Sequence, residues 1–305
     1  MDGRLTRHRS LASLVGAVLI VTGAVLLIRH SAAPPRAPAA PAGTIPAAAE
    51  PAAAATPTAA PPAAAKPRLR LPAELPAGTI TLPVLMYHRI DRPARGLPDL
   101  TQRLTVAPRD FAAQMAWLSG HGYHAVTQQQ VFAAVVRGRP LPARPVLVTF
   151  DDGYRDVLVH AVPVLAHLHM PATAYVITDR TGNDTRGPWL SWADLRRMER
   201  VGIDIGSHTI NHRDLTAMPP ARALDELVRS RLRLEARLHH PVQWFAYPFG
   251  AFNARVEALT RRAGYVLSVT TQPGRAQNRS RPLALHRNEV LDTTGVPGVA
   301  SFVGG

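Results

Sequence analysis

Short apolar runs alternate with amphipathic segments along the chain from residue 82 to residue 290. The runs are rich in β-branched residues, which predicts buried strands, and the segments carry apolar residues three or four apart, which predicts helices. The predicted strands span residues 82–87, 123–126, 145–150, 172–177, 203–206, 242–247, 265–269 and 285–290. The predicted helices span a segment that begins at residue 108, with Phe111, Met115 and Leu118 on one face, and residues 128–137, 156–168, 191–200, 221–238 and 254–263. Such alternation predicts an α/β fold with a parallel sheet, most simply a barrel.

An uncharged apolar segment covers residues 11–28, near the start of the chain. A helix of this length rises about 27 Å, which is enough to cross the hydrocarbon core of a membrane. Arginines precede the segment, so residues 1–10 are expected to stay in the cytoplasm while the rest of the chain is exported. Residues 11–28 are therefore predicted to be a transmembrane signal anchor in the cytoplasmic membrane. The alternative is a signal peptide cleaved near Ser31, which would release a secreted form.

The composition changes twice after this segment. Residues 31–78 are mainly alanine and proline, which cannot bury enough apolar surface to fold, so they are predicted to be a disordered linker. Residues 79–305 have a globular composition and are predicted to form one domain. The chain has no cysteine, which excludes disulfide bonds and thiolate metal ligands. Its net charge of +14 comes from dispersed arginines without an aromatic–basic cluster, so no nucleic-acid partner is expected.

Two adjacent carboxylates, Asp151 and Asp152, follow the most strongly predicted strand, residues 145–150. Gly153 permits a tight exit from the strand that exposes both side chains. Neighbouring residues at a strand end project in different directions, so one carboxylate can bind a metal ion while the other faces a substrate. The alternative is a purely structural turn, because Asp-Asp-Gly is also a common loop sequence.

Two histidines, His208 and His212, follow the predicted strand at residues 203–206. If the segment is helical, this spacing presents both imidazoles on one face, as in many zinc sites. Together with Asp152 they would form a triad of two histidines and one carboxylate with open positions for water and substrate. Zn²⁺ suits such a triad best, and Co²⁺, Ni²⁺ or Fe²⁺ would also be accepted. The alternative is that these are ordinary surface or core histidines, since the chain contains 13 of them.

A third string, Tyr247-Pro248-Phe249-Gly250, ends the predicted strand at residues 242–247 and by itself is more typical of a plain aromatic turn than of a site. Taken with Thr149–Tyr154 and Ser207–His212, however, it resembles the motifs of the polysaccharide deacetylases, carbohydrate esterase family 4, whose domain is called the NodB-homology domain. The segment at residues 82–90 is similar to the branch that deacetylates the poly-N-acetylglucosamine of biofilms. Within that segment His88 ends the first strand, where it either borders the site or has a structural role.

The resemblance covers roughly residues 80–295 and implies a deformed (β/α) barrel that removes N-acetyl groups from polymeric sugars by hydrolysis. It implies that Asp151 is the general base and that the metal ligands are Asp152, His208 and His212. It also implies that the backbone amide of Phe249 donates to the oxyanion that forms during the reaction.

The chain departs from the family pattern at two positions. The arginine that orients the base is expected two residues before Pro248, where this chain has Ala246. The general acid is expected from a Leu-x-His motif, whereas His286 follows Leu285 directly. We predict that Arg287, which a barrel would bring beside the Asp151 loop, replaces the missing guanidinium, and that His286 points to the opposite face. If the strand is irregular there, His286 becomes the acid, and both residues could also be solvated edge residues.

These inferences predict a membrane-anchored, extracytoplasmic enzyme that removes N-acetyl groups from an N-acetylglucosamine-containing polysaccharide with the help of a divalent metal ion. One alternative is an O-deacetylase of an acetylated glycan, which needs no strong acid for its leaving group. A second alternative is a glycan-binding module that keeps the fold without turnover.

Overall fold

The computed structural model describes residues 66–305, except positions 93, 95, 183 and 185. The predicted membrane anchor at residues 11–28 and most of the predicted linker lie outside the described residues. None of the helices in the described part of the chain is both long enough and apolar enough to cross a membrane.

In this part of the chain the strands are β1 (Thr79–Thr81), β2 (Val84–Tyr87), β3 (Arg89–Ile90), β4 (Thr105–Val106), β5 (His124–Ala125), β6 (Pro145–Phe150), β7 (Ala172–Val176), β8 (Ile203–Ser207), β9 (Trp244–Ala246), β10 (Leu267–Val269), β11 (Ala276–Asn278) and β12 (Asn288–Glu289). The α-helices are α1 (Asp99–Arg103), α2 (Pro108–Gly120), α3 (Gln128–Arg137), α4 (Val162–His167), α5 (Trp192–Arg200), α6 (Pro220–Leu238), α7 (Ala254–Arg262) and α8 (Gly295–Val303).

The main sheet is parallel and has the order β10-β9-β8-β7-β6-β2-β12, with β5 paired to the start of β6. The segment 285–288 connects the two ends of this sheet. Leu285 forms a parallel bridge to Val269 in β10, and Asn288 pairs with Leu85 in β2. The predicted deformed (β/α) barrel is therefore confirmed, although only two residues of the predicted strand at 285–290 form a regular strand.

Alternation along β6 separates the two faces of the sheet. Val146, Val148 and Phe150 pack against the surrounding helices, whereas Leu147 belongs to a different apolar cluster that includes Tyr175. Because side chains alternate along a strand, Asp151 continues the side of Leu147.

Gly206 in β8 makes room for the Tyr175 ring on that inner side. A Cβ at this position would lie 2.4 Å from a ring carbon of Tyr175, closer than any real contact. The ring of Tyr175 in turn lies 5.8 Å from the guanidinium carbon of Arg287. The missing side chain in β8 thus leaves room for the Tyr175 ring, which lies beside the buried Arg287.

The predicted helix at residues 156–168 is interrupted. Residues Val157–Ala161 form a π-helical turn, and α4 follows with Pro163 in its first turn. Proline has no backbone N–H to continue the α-helical hydrogen bonds, which explains the widened turn before it.

The folded unit includes residues that the composition had assigned to the linker. Leu69 is buried, its N–H donates to Oε1 of Gln243 over 2.6 Å, and its carbonyl accepts from Nε2 of Gln243 over 2.9 Å. Leu71 and Leu75 also pack against the core. The packed part of the chain therefore begins before residue 79.

Candidate active site

The loops at the carboxyl ends of the central strands enclose a cavity of about 510 Å³. Asp151 and Asp152 follow β6, His208 follows β8, and Tyr247 follows β9. Because all these strands are parallel, their carboxyl ends meet at one edge of the barrel, where active sites of such barrels lie. All four residues line the cavity, as do His212 and Phe249.

Three of the lining residues present metal-binding atoms to one point. The ligand atoms of Asp152, His208 and His212 all lie within 4.8 Å of one another. Oδ1 of Asp152 is 3.7 Å from Nε2 of His208 and 3.5 Å from Nε2 of His212. This carboxylate oxygen is buried and has no hydrogen-bond partner among the described residues. A buried acceptor without a donor beside two imidazole nitrogens fits a divalent cation.

The orientation of His208 favours metal binding. Its Nδ1 lies 2.8 Å from the carbonyl oxygen of Ala246, which can only accept, so Nδ1 carries the proton. The lone pair of Nε2 is therefore free for a metal ion, the arrangement commonly found around metal-bound histidines. Ala246, which stands where the family pattern has an arginine, contributes its main chain to the site.

The segment that carries both histidines is not helical. It is an irregular turn in which Thr209 and His212 have φ values of 66° and 56°. Oγ1 of Thr209 accepts a hydrogen bond from the N–H of His212 over 2.9 Å. Burial lowers the pKa of His212 to about 4, so that its imidazole is neutral near pH 7. The spacing of four residues thus brings the two rings together through a turn rather than on a helix face.

Asp151 forms a bidentate ion pair with Arg287. The two guanidinium nitrogens donate to Oδ1 and Oδ2 of Asp151 over 2.8 Å and 2.6 Å, and Arg287 is fully buried. Nε of Arg287 also donates to the carbonyl of Thr270 over 2.8 Å. Burial alone would raise the pKa of Asp151, but the positive charge of Arg287 holds it well below its ordinary value. Asp151 therefore stays ionised.

His286 lies outside the cavity, on the other side of the chain from Arg287. Its backbone N–H and carbonyl bond the side chain of Gln277, and its ring lies against Gly274. The structure thus brings Asp151 and Arg287 together with the three metal-ligand candidates and leaves His286 apart.

His88 lines the cavity, and its Nδ1 is buried without a hydrogen-bond partner among the described residues. Phe249 is 64% exposed, and its ring lies 4.5 Å from that of His212.

Tyr154, Arg180 and Leu100 are among the cavity-lining residues that were not predicted from the sequence. The ring of Tyr154 stacks on that of Trp189, with 4.5 Å between the ring centres. The guanidinium carbon of Arg180 also lies over the Trp189 ring, 4.3 Å from its centre. Tyr154 follows Asp-Asp-Gly directly and could have been found from that position. Leu100 belongs to the short helix α1, which has no apolar periodicity that would signal it.

A family profile described as polysaccharide deacetylase matches residues 138–268. The chain is 32% identical over 219 residues to YxkH of Bacillus subtilis (strain 168), which is assigned by name to the polysaccharide deacetylases; the match covers 72% of this chain and 74% of YxkH. This chain belongs to the polysaccharide deacetylase family. It is accordingly a hydrolase, and the site described above is the candidate active site of this polysaccharide deacetylase.

Two other relatives carry more specific names. The poly-β-1,6-N-acetyl-D-glucosamine N-deacetylase of Staphylococcus epidermidis is 27% identical over 233 residues, which cover 68% of this deacetylase and 80% of that enzyme. The structure of the deacetylase PplD from Streptococcus pyogenes, in complex with acetate, superposes with a TM-score of 0.68 and 28% identity. That superposition covers 74% of this chain and 99% of PplD.

Proposed function

We propose that this polysaccharide deacetylase removes N-acetyl groups from a polymer that contains N-acetylglucosamine, in a metal-dependent hydrolysis. The observation that carries the proposal is that two adjacent carboxylates in one cavity have different partners. Asp152 faces two imidazoles, whereas Asp151 is held away from them by Arg287. The names of the Staphylococcus epidermidis relative and of PplD support the choice of substrate class and of acetate as a product.

Asp152, His208 and His212 would hold the metal ion. A bound divalent ion supplies Lewis acidity, which polarises the acetyl carbonyl and lowers the pKa of a water molecule. Asp151, kept ionised by Arg287, accepts a proton from the attacking water as the water oxygen adds to the acetyl carbon. The Phe249 amide donates a hydrogen bond to the oxygen that becomes negatively charged.

His88 is our candidate for the general acid. It lines the cavity, and histidine is the side chain that most often serves as a general acid or base. Donation of its proton to the substrate nitrogen as the carbon–nitrogen bond breaks leaves acetate and a free amine. His286, the candidate from sequence, does not line the cavity.

The decisive experiment measures acetate and free amine released from poly-N-acetylglucosamine and from an O-acetylated glycan by the metal-loaded full-length protein. Equal amounts of acetate and amine are expected from the first polymer only. Acetate without amine would show O-deacetylation instead, and binding without either product would show a glycan-binding module.

We further propose that residues 11–28 anchor the enzyme in the cytoplasmic membrane with its catalytic domain outside. The apolar length of this segment and the arginines before it support the proposal. Protease added to spheroplasts should digest the catalytic domain while the protein stays in the membrane fraction. A soluble mature protein that begins near residue 31 would instead show a cleaved signal peptide.

A further inference from the structure

The loop between the two metal-ligand histidines is held from behind by a buried carboxylate that the proposed chemistry does not use. Glu226 lies in α6, is only 6% exposed and does not line the catalytic cavity. Its Oε2 accepts from the backbone N–H groups of Ile210 and Asn211 over 2.9 Å and 3.1 Å. Its Oε1 accepts from Nδ2 of Asn211 over 2.9 Å.

These three contacts satisfy Glu226 without an ion pair. Within the described residues no lysine, arginine or histidine forms a salt bridge with it. Burying a carboxylate without a cation is costly unless several donors point at its oxygens. Here all three donors belong to two consecutive residues of one loop, so the carboxylate and the loop conformation depend on each other.

The loop needs such support because its backbone is strained. Thr209 and His212 both have positive φ values, a left-handed conformation that is unfavourable for residues other than glycine. Strained conformations of this kind persist only where the surrounding contacts fix them. Ile210 and Asn211, the residues that Glu226 holds, lie between these two strained positions.

We propose that Glu226 is a positioning residue of the metal site, which fixes the loop in the one conformation that brings Nε2 of His212 to Asp152. The proposal rests on the metal dependence proposed above. Glu226 touches neither metal nor substrate and acts through the main chain of the loop. Without it the loop would relax toward ordinary backbone angles and the third ligand would be lost from the preformed triad.

The test compares Glu226→Gln with Asp194→Asn in the purified full-length protein. Asp194 is a matched control because it is also a buried acid that accepts hydrogen bonds from a nearby residue of the same chain segment. Its Oδ2 accepts from the N–H and Oγ of Ser191 over 3.0 Å and 2.9 Å. Unlike Glu226, it lies in the capping box of α5, and it does not line the cavity. Metal is removed with a chelator, and Zn²⁺ is titrated back against a chromophoric competitor. The visible absorption spectrum of the Co²⁺-loaded protein and the unfolding temperature of the metal-free protein are recorded as well.

Glu226→Gln should raise the Kd for Zn²⁺ by about 10- to 100-fold, the range found when partners of metal ligands are removed. It should also change the Co²⁺ spectrum, and its acetate release should approach that of the wild type at saturating metal. Asp194→Asn should lower the unfolding temperature but leave the Zn²⁺ affinity and the Co²⁺ spectrum unchanged. A Glu226→Gln protein with wild-type affinity and spectrum would overturn the proposal, whatever its unfolding temperature.

Asn211→Asp provides the second variant in case Glu226→Gln does not fold. This exposed residue can be changed without disturbing the core, and a carboxylate there would repel Glu226 and should weaken Zn²⁺ binding as well. Unchanged binding would again overturn the proposal. If the wild type binds metal with the predicted dependence on Glu226 but releases no acetate, the proposed function fails and this inference stands. If the wild type binds no metal, both fail.

Discussion

Two halves of the candidate active site are built by different means. The metal half, Asp152, His208 and His212, is shaped by main-chain conformations close to the ligands: a positive φ at Asp152 and at His212, and the Ala246 carbonyl that orients His208. The base half, Asp151 and Arg287, is a buried side-chain pair whose members lie 136 positions apart. The metal half therefore needs a fixed local sequence, whereas the base half needs only that a guanidinium reach the same point.

This difference explains why the arginine can change its place in the chain. The family resemblance expects it at the end of β9, where this deacetylase has Ala246, yet the guanidinium of Arg287 enters from the segment before β12. The barrel brings both segments to the same interior, where the guanidinium of Arg287 lies beside the ring of Tyr175. Single substitutions should accordingly act differently in the two halves.

The largest effect is expected in the metal half. His208→Ala and His212→Ala should each remove tight metal binding and with it almost all acetate release, because each takes away one of three protein ligands. Elemental analysis of the purified proteins measures the metal content, with His286→Ala as a control that should keep it. Full occupancy in both ligand variants would disprove the assignment of the triad.

The next largest effect separates the two carboxylates. Asp151→Asn should keep the metal and lower kcat by about 10²–10⁴-fold, since a carboxamide of the same shape cannot accept the proton. Asp152→Asn should weaken metal binding instead. The two variants are compared by metal titration and by initial rates at saturating metal. The reverse pattern would exchange the roles of Asp151 and Asp152.

Elements with strong local signals could be predicted to the residue. Helix α3 and strand β6 begin and end as the sequence indicates. For the helix the reason is local, because Thr127 and Gln130 form a capping box at its start and Gly138 adopts the left-handed conformation that ends it. Helix α8 was missed. Its sequence contains two glycines and a proline within the first four residues, and Val299 and Val303 become buried only through tertiary packing.

The same distinction holds for the site. The residues of the metal half stand in short motifs that local sequence reveals. Arg287 could be placed beside Asp151 only from the closure of a barrel, and the turn that joins His208 to His212 could not be distinguished from a helix by spacing. Leu100 lines the cavity through a helix of five residues, too short to give a pattern.

Arg287→Ala tests how the base half is held. Loss of the guanidinium leaves Asp151 buried without a cation, so its pKa should rise and the acidic limb of the pH–rate profile should move to higher pH. The free energy of unfolding near pH 7 should fall by about 3–5 kcal/mol, the usual result of removing one partner of a buried pair.

The stability that the Asp151–Arg287 pair contributes should depend on pH. In the wild type the folded pKa of Asp151 is depressed, so the pair stabilises the protein above the ordinary pKa of aspartate and the contribution is lost as the pH falls. The difference between wild type and Arg287→Ala should therefore be greatest near neutrality and shrink in acid. His286→Ala should leave both the rate profile and the stability almost unchanged. A wild-type profile for Arg287→Ala would remove Arg287 from the base half.

The smallest effect on stability is expected when both members of the base half are replaced together. An Asp151→Val, Arg287→Met protein has no uncompensated buried charge, and replacing a buried ion pair by apolar residues of similar volume is often neutral or stabilising. Its free energy of unfolding should lie within about 1 kcal/mol of the wild type, although it should release no acetate and should still bind metal. Urea unfolding of the metal-free proteins compares this variant with Arg287→Ala. If the double variant is as unstable as the single one, the stabilisation comes from the other bonds of Arg287, to the Thr270 carbonyl and Oγ1 of Thr149, rather than from its charge. In that case Arg287 would stabilise the barrel mainly through these two hydrogen bonds, and they, rather than the charge of Asp151, would fix its position beside Asp151.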